Sequence, residues 1–266
     1  MSTSTEKSVW ASGGAYEPYV GRWSRLVARE FVEWLAIPPA AWWLDVGCGT
    51  GALTETILRS ASPTQVHGID PSEGYLALAR EQVQDPRARF DFGDARHLSG
   101  ESARYDAVVS ALVLNFISDL PSGVAEMTRV VRPGGIVAGY VWDYAGKMEL
   151  MRYFWDAAVA LTPEDLERDE GRRFPICKPG PLKDLFEGAG LKDVDVRSID
   201  VSTPFRDFDD YWTPFLGGQF PAPDYAMSLN EDARTALRER IRSHLPIAAD
   251  GSIPLIARAW AARGTR

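Results

Sequence analysis

The chain has 266 residues, 45% hydrophobic and 25% charged, with a formal net charge of -8; this is the balance of a soluble globule with one α/β domain and additions. A pI near 5.0 disfavours an extended nucleic-acid footprint. Two cysteines, Cys48 and Cys177, argue against a disulfide framework, and no apolar stretch is long enough for a bilayer span or a secretory leader. The expectation is a cytoplasmic monomer or homodimer with no membrane and no nucleic-acid partner.

Residues 1–12 read as a disordered tail. Residues 13–25 are bracketed by glycines and dense in aromatics, among them Tyr16, Tyr19 and Trp23. Leu26, Val27, Phe31, Val32 and Leu35 recur at helical spacing until Ile37-Pro38-Pro39 stops the helix. This makes 13–37 an N-terminal lid and helix, ahead of a main domain over 38–266.

Trp42-Trp43-Leu44-Asp45-Val46 is a short apolar strand ending at Gly47-Cys48-Gly49-Thr50-Gly51, after which Ala52 to about Ser60 has helical spacing. Alternate glycines allow positive φ and close approach of a ligand, and the helix N-terminus offers unpaired N–H groups. The spacing is Gly-x-Gly-x-Gly, not the Gly-x-Gly-x-x-Gly of dinucleotide folds, and the Gly-Lys-Ser/Thr ending of a P-loop is missing. Cys48 is a packing residue, since no neighbour in sequence activates it.

The next strand, Val66–Asp70, ends in a carboxylate 19 residues after Gly51, placed to accept both hydroxyls of a ribose. Pro71 follows, Ser72 caps the next helix, and Tyr75 lies in its first turn. Ala88–Phe92 is a third strand ending at Gly93-Asp94-Ala95. Tyr105–Ser110 is a fourth, followed by Leu112, Asn115 and Phe116. A helix capped by Asp119 runs to Val131, and after Arg132-Pro133-Gly134-Gly135 the fifth strand is Ile136–Val141. Strand alternates with helix throughout, which specifies a parallel doubly wound sheet with ligands at the strands' carboxyl ends.

The run Leu44–Gly51, with the segments after it, resembles the class I S-adenosylmethionine-dependent methyltransferases, and the flanking residues resemble their type 11 branch. The resemblance implies a Rossmann-like, doubly wound, seven-stranded sheet, mostly parallel with one late antiparallel strand, plus a helical cap. It implies S-adenosyl-L-methionine as cofactor, bound by Tyr16, Arg22, Asp45, Gly47, Cys48, Gly49, Asp70, Pro71, Tyr75, Asp94, Ala95 and Leu112. Within that set, Arg22 would meet the cofactor's carboxylate, Asp94 and Ala95 its adenine, and Leu112 its methionine part. Residues 13–25 would close as a lid. The Asn/Asp-Pro-Pro-Tyr motif of amino-methyltransferases acting on DNA bases or glutamine is absent.

Beyond Trp142, cap elements are expected at about 143–180 and 205–250: helices over 148–160 and 205–218, loop over 162–181, a charged helix over 230–244, and strands near 194–201 and 252–262. The acceptor is expected to be a small organic molecule among Tyr19, Trp23, Asn115, Phe116, Trp142, Tyr144, Trp155 and Trp212. Asp143 is the candidate base. His67, His97 and His244 are scattered, so no metal is expected. The competing functions are a cofactor-binding regulatory protein without catalysis and an NAD(P)-dependent oxidoreductase, which the glycine spacing and Asp94 disfavour.

Overall fold

The pattern of apolar runs and breakers becomes, in chain order, α1 (Arg22–Leu35), β1 (Trp42–Val46), α2 (Ala52–Ser60), β2 (Gln65–Asp70), α3 (Glu73–Gln82), β3 (Ala88–Phe92), β4 (Tyr105–Ala111), α4 (Leu120–Val130), β5 (Val131–Trp142), α5 (Glu149–Leu161), α6 (Glu170–Arg173), α7 (Pro179–Gly188), β6 (Lys192–Phe205), α8 (Phe208–Trp212), α9 (Pro221–Ser228), α10 (Glu231–His244) and β7 (Ile253–Thr265). The structure is a computed structural model that describes residues 21–100, 102–217 and 220–266, and the backbone alone of Arg22. Tyr16, Tyr19 and the Arg22 side chain, three of the expected ligand contacts, lie outside the described set.

The strands form one seven-stranded sheet in the order β3-β2-β1-β4-β5-β7-β6. The first five are parallel, and β7 runs antiparallel to both neighbours, β5 and β6. This is the expected doubly wound sheet with one late antiparallel strand. β1 and β4 are buried along nearly their whole length, because helices cover both faces of a parallel sheet. α1 lays Val27, Phe31 and Leu35 into the core, with Phe31 edge-on to Tyr140 of β5 at 4.8 Å.

His67 and Asp119 take structural roles. The His67 ring is held between the Tyr105 hydroxyl at 2.8 Å and Asp91 at 2.9 Å, and Asp119 caps α4 through the Ser122 N–H. β5 begins five residues earlier than expected, at Val131. Its ladder with β4 skips from Tyr105↔Val131 to Ala107↔Ile136, so Arg132–Gly135, expected to be a turn, bulges within the strand.

Two elements in the second half differ from expectation. The stretch expected as loop contains α6 as well as the start of α7. The single helix expected over 205–218 is α8 plus a 3-10 turn at Thr213–Leu216, broken because Pro214 cannot donate to a continuing ladder. Outside the sheet, an aromatic cluster extends the hydrophobic core. Phe154 stacks on Phe215 at 4.5 Å, Trp155 lies 5.4 Å from Tyr225, and the Tyr211 hydroxyl donates to the Leu150 carbonyl at 2.8 Å. Among the described residues, no helix is long and apolar enough to cross a membrane.

Candidate active site

A cavity of about 480 Å³ opens at the carboxyl ends of β1, β2, β4 and β5, within the range of organic-ligand sites. The turn after β1 supplies one wall. The Gly47 and Cys48 N–H groups both donate to the Ile69 carbonyl at 2.8 and 3.0 Å, which locks the turn onto the end of β2. Gly47 takes φ +72°, and a Cβ there would lie 2.6 Å from Val113, so no larger residue fits. Gly49 also has positive φ, but its missing Cβ would meet nothing within 4 Å. It leaves room on the side where a ligand would sit.

Asp70 closes the next wall. Its Oδ2 accepts from Gly49 N–H at 3.0 Å and its Oδ1 from Ser72 N–H at 2.8 Å. Burial pushes its carboxyl upward, against the pull of those two backbone donors. Asp45 is fully buried beneath the turn. Oδ2 accepts from the Thr54 hydroxyl at 2.7 Å, and among the described residues Oδ1 has no hydrogen-bond partner. Desolvation, opposed by the Thr54 bond, raises its pKa from 3.8 to about 7. Burial also pushes the Cys48 thiol well up, so it does not act as a nucleophile. Tyr75, which lines the same cavity, is raised to about 12 by burial first and the Asp70 charge second.

Asp94 and Ala95 line the cavity beyond Asp70. Both Asp94 oxygens engage the Arg96 guanidinium, and Oδ1 also accepts the Arg96 N–H at 2.9 Å. The hydrogen bonds from Arg96 hold the Asp94 carboxyl below its usual range. Leu112, at φ +59°, donates its N–H to the Tyr140 carbonyl at 2.8 Å. A branched side chain in that region is strained, and here it turns the chain into the cavity wall.

Pro71, Phe116, Trp142 and Tyr144 also line the cavity, as expected from sequence. Other expected contacts lie elsewhere. Trp23 packs edge-on to Phe205 at 5.7 Å. Trp212 packs 6.0 Å from Phe215 in the aromatic cluster. Trp155 is buried behind the wall, and the Asn115 amide points into protein. The Asp143 carboxylate accepts from Lys147 N–H at 3.0 Å. It caps the turn after β5 and is not among the groups that line the cavity.

Sequence reasoning missed several lining residues, among them Tyr140, Met151, Glu170 and Phe220. Tyr140 sits two positions before Trp142 on β5, so both emerge on one face; that spacing could have found it. Met151, Phe220 and Glu170 carried no such signal. Glu170 is 3% exposed within a highly charged run. Burial raises its pKa from 4.5 to about 7 against the Trp155 hydrogen bond. Among the described residues, no group of His, Cys, Asp or Glu is arranged to hold a metal ion.

These features fit S-adenosylmethionine. Asp70 places a carboxylate on the wall of a cavity that suits this cofactor, and the lining guanidinium of Arg96 is already matched by Asp94. The Asp45 pKa has a consequence for stability. The folded state retains a proton that the unfolded chain loses near pH 3.8, so stability is complete below that pH and declines as pH rises to about 7. A displacement of that size corresponds to roughly 4 kcal/mol at most. Asp45→Asn mimics the protonated form and is expected to melt higher than wild type at pH 8, with the gap shrinking towards pH 4. Thermal melts across that range check this; a gap independent of pH would refute the cause assigned.

A methyltransferase-domain family model matches residues 44–135. The chain is 30% identical over 168 residues to demethylmenaquinone methyltransferase of Staphylococcus aureus, a match covering 59% of this chain and 70% of that protein. It is 36% identical over 109 residues to the biotin biosynthesis bifunctional protein of Bordetella avium, covering 41% of this chain but only 23% of that longer protein. Phosphoethanolamine N-methyltransferase 2 of Haemonchus contortus, solved with S-adenosyl-L-methionine, superposes with a TM-score of 0.57 at 19% identity, over 95% of this chain and 56% of that one. That superposition speaks for the fold. The strand-end cavity, its glycine turn and these sequence matches together place the chain in the class I S-adenosylmethionine-dependent methyltransferase family.

Proposed function

We propose that this chain transfers a methyl group from S-adenosylmethionine to a small, largely apolar or aromatic acceptor. The observation that carries the reading is the two-ended lining of one cavity. Glycine turn and carboxylates stand at one end, and Tyr140, Trp142, Tyr144, Met151 and Phe220 at the other. When bound, the cofactor supplies an electrophilic methyl group on sulfur, so the protein has mainly to align and dehydrate. Asp70 would hold the ribose, Asp94 and Ala95 the adenine, with Asp94 shared between that contact and Arg96. The Gly47–Gly51 turn and Leu112 would flank the methionine part. The helices of 143–180 and 205–250 would act as a cap that keeps water from the aromatic end.

A regulatory protein that binds the cofactor without catalysis is the alternative, and one experiment separates them. Methyl-labelled S-adenosylmethionine incubated with the full chain and a metabolite extract is expected to label a small organic product. Trp142→Ala should lose most of that label while still binding S-adenosylhomocysteine. Cofactor binding without any labelled product would favour the regulatory reading.

A further inference from the structure

The aromatic end of the cavity contains one carboxylate that neither the cofactor contacts nor the fold accounts for. Glu170 sits at the start of α6, and this turn is clamped in place. Arg152 of α5 donates to both Asp169 oxygens at 2.8 and 2.9 Å, to the Tyr144 carbonyl at 3.1 Å and to Asp156. Gly171 lies so close to the chain at Ala145 that a Cβ would fall 2.9 Å from its Cα. The clamp presents Glu170 to the cavity with Oε2 accepting from the Trp155 indole N–H at 2.8 Å. Among the described residues, no donor bonds to Oε1.

A carboxylate this deeply buried needs a counter-charge or a full set of donors. The cation beside it, Arg152, is committed to Asp169 and Asp156. Arg173, on the same turn, favours the charged carboxylate but is exposed, lies over the Phe174 ring, and among the described residues makes no hydrogen bond or ion pair with Glu170. The cavity around Glu170 offers instead the rings of Tyr140, Trp142, Tyr144 and Phe220, surfaces that attract cations. Resting on the methyltransferase reading above, we propose that Glu170 is the specificity-determining residue for the acceptor and receives a basic amine carried by an otherwise aromatic or apolar molecule. A carboxylate-bearing acceptor would meet like charge at the same point.

The surroundings also set a pH dependence. Asp169 and Arg173 on its own turn, Arg152 on α5, and the buried Cys177 thiol after α6 are the charged and titratable groups that act on Glu170 or feel it. Their balance, dominated by burial, leaves the carboxyl half protonated near pH 7. Amine binding should therefore strengthen as pH rises through that value.

The test uses the full chain saturated with S-adenosylhomocysteine and three matched probes, 2-phenylethylamine, 2-phenylethanol and 3-phenylpropionate, titrated by calorimetry. The amine is expected to bind about tenfold or more tighter than either other probe at pH 8. Glu170→Gln keeps the side-chain volume and an oxygen to accept from Trp155, so it should fold. It should remove most of the amine preference and the pH dependence while leaving S-adenosylhomocysteine affinity unchanged. If S-adenosylhomocysteine itself fails to bind, the methyltransferase reading fails, and this proposal falls with it. If it binds, but the amine shows no preference, fails to bind at millimolar concentration, or is indifferent to Glu170→Gln, the amine assignment alone is overturned.

Discussion

Asp70→Ala is expected to weaken S-adenosylhomocysteine binding by about a hundredfold or more. The carboxylate has two jobs. It braces the glycine turn through Gly49 N–H and caps the approach to α3 through Ser72 N–H. Its remaining lone pairs face the cavity, where ribose hydroxyls would donate. Hydrogen bonds to a charged group contribute about 1.5–3 kcal/mol each when buried, so losing two predicts a change of that size in the dissociation constant. Asp70→Asn should fall between, because its single oxygen can accept while its amide faces donors. Calorimetry on folded variants decides the matter. A dissociation constant for Asp70→Ala within about threefold of wild type would remove Asp70 from the binding site.

The largest stability loss is expected at Phe154. Its ring is fully buried, stacked on Phe215 at 4.5 Å and edge-on to Trp155 at 5.2 Å. Phe154→Ala leaves a cavity where α5, the 3-10 turn after α8, and α9 meet, and such truncations cost about 3–5 kcal/mol. The melting temperature should fall by roughly 10 °C. Below the transition, S-adenosylhomocysteine affinity should be nearly unchanged, because the ring partners of Phe154 are Trp155, Phe215 and Tyr225 and none belongs to the glycine turn. Urea and thermal unfolding measure the first effect and calorimetry the second. A loss under about 1 kcal/mol would mean that the aromatic cluster relaxes around the gap.

The first half of the chain was legible because its signals are local. β1, β2, β3 and β5 each end at a glycine, an acidic residue or both. The helices between them carry ordinary caps, such as Ser72, whose hydroxyl oxygen accepts from Tyr75 N–H. What failed was decided by distant partners. Arg132–Gly135 reads as a turn, yet its neighbours in β4 carry the strand through it as a bulge. Pro221 and Pro223 fall in the first turn of α9, where a proline has no amide hydrogen bond to lose, and the run from Phe220 carries no periodic pattern of its own. Glu170 sits among Glu167, Arg168, Asp169, Arg172 and Arg173, a composition that reads as solvated. Its burial depends on Trp155, fifteen residues away, and on the Arg152–Asp169 pair. Trp155 and Trp212 read as pocket walls for the converse reason, since aromatic content alone does not distinguish a cavity lining from core packing.

The central claim is that the cavity at the strand ends is built for S-adenosylmethionine, and calorimetric titration of the full chain with S-adenosylhomocysteine and, separately, with NAD tests it most directly. The account predicts saturable binding of S-adenosylhomocysteine at one site per chain, with NAD at least about a hundredfold weaker. NAD binding as tight or tighter, or no detectable S-adenosylhomocysteine binding by a folded sample, would contradict it.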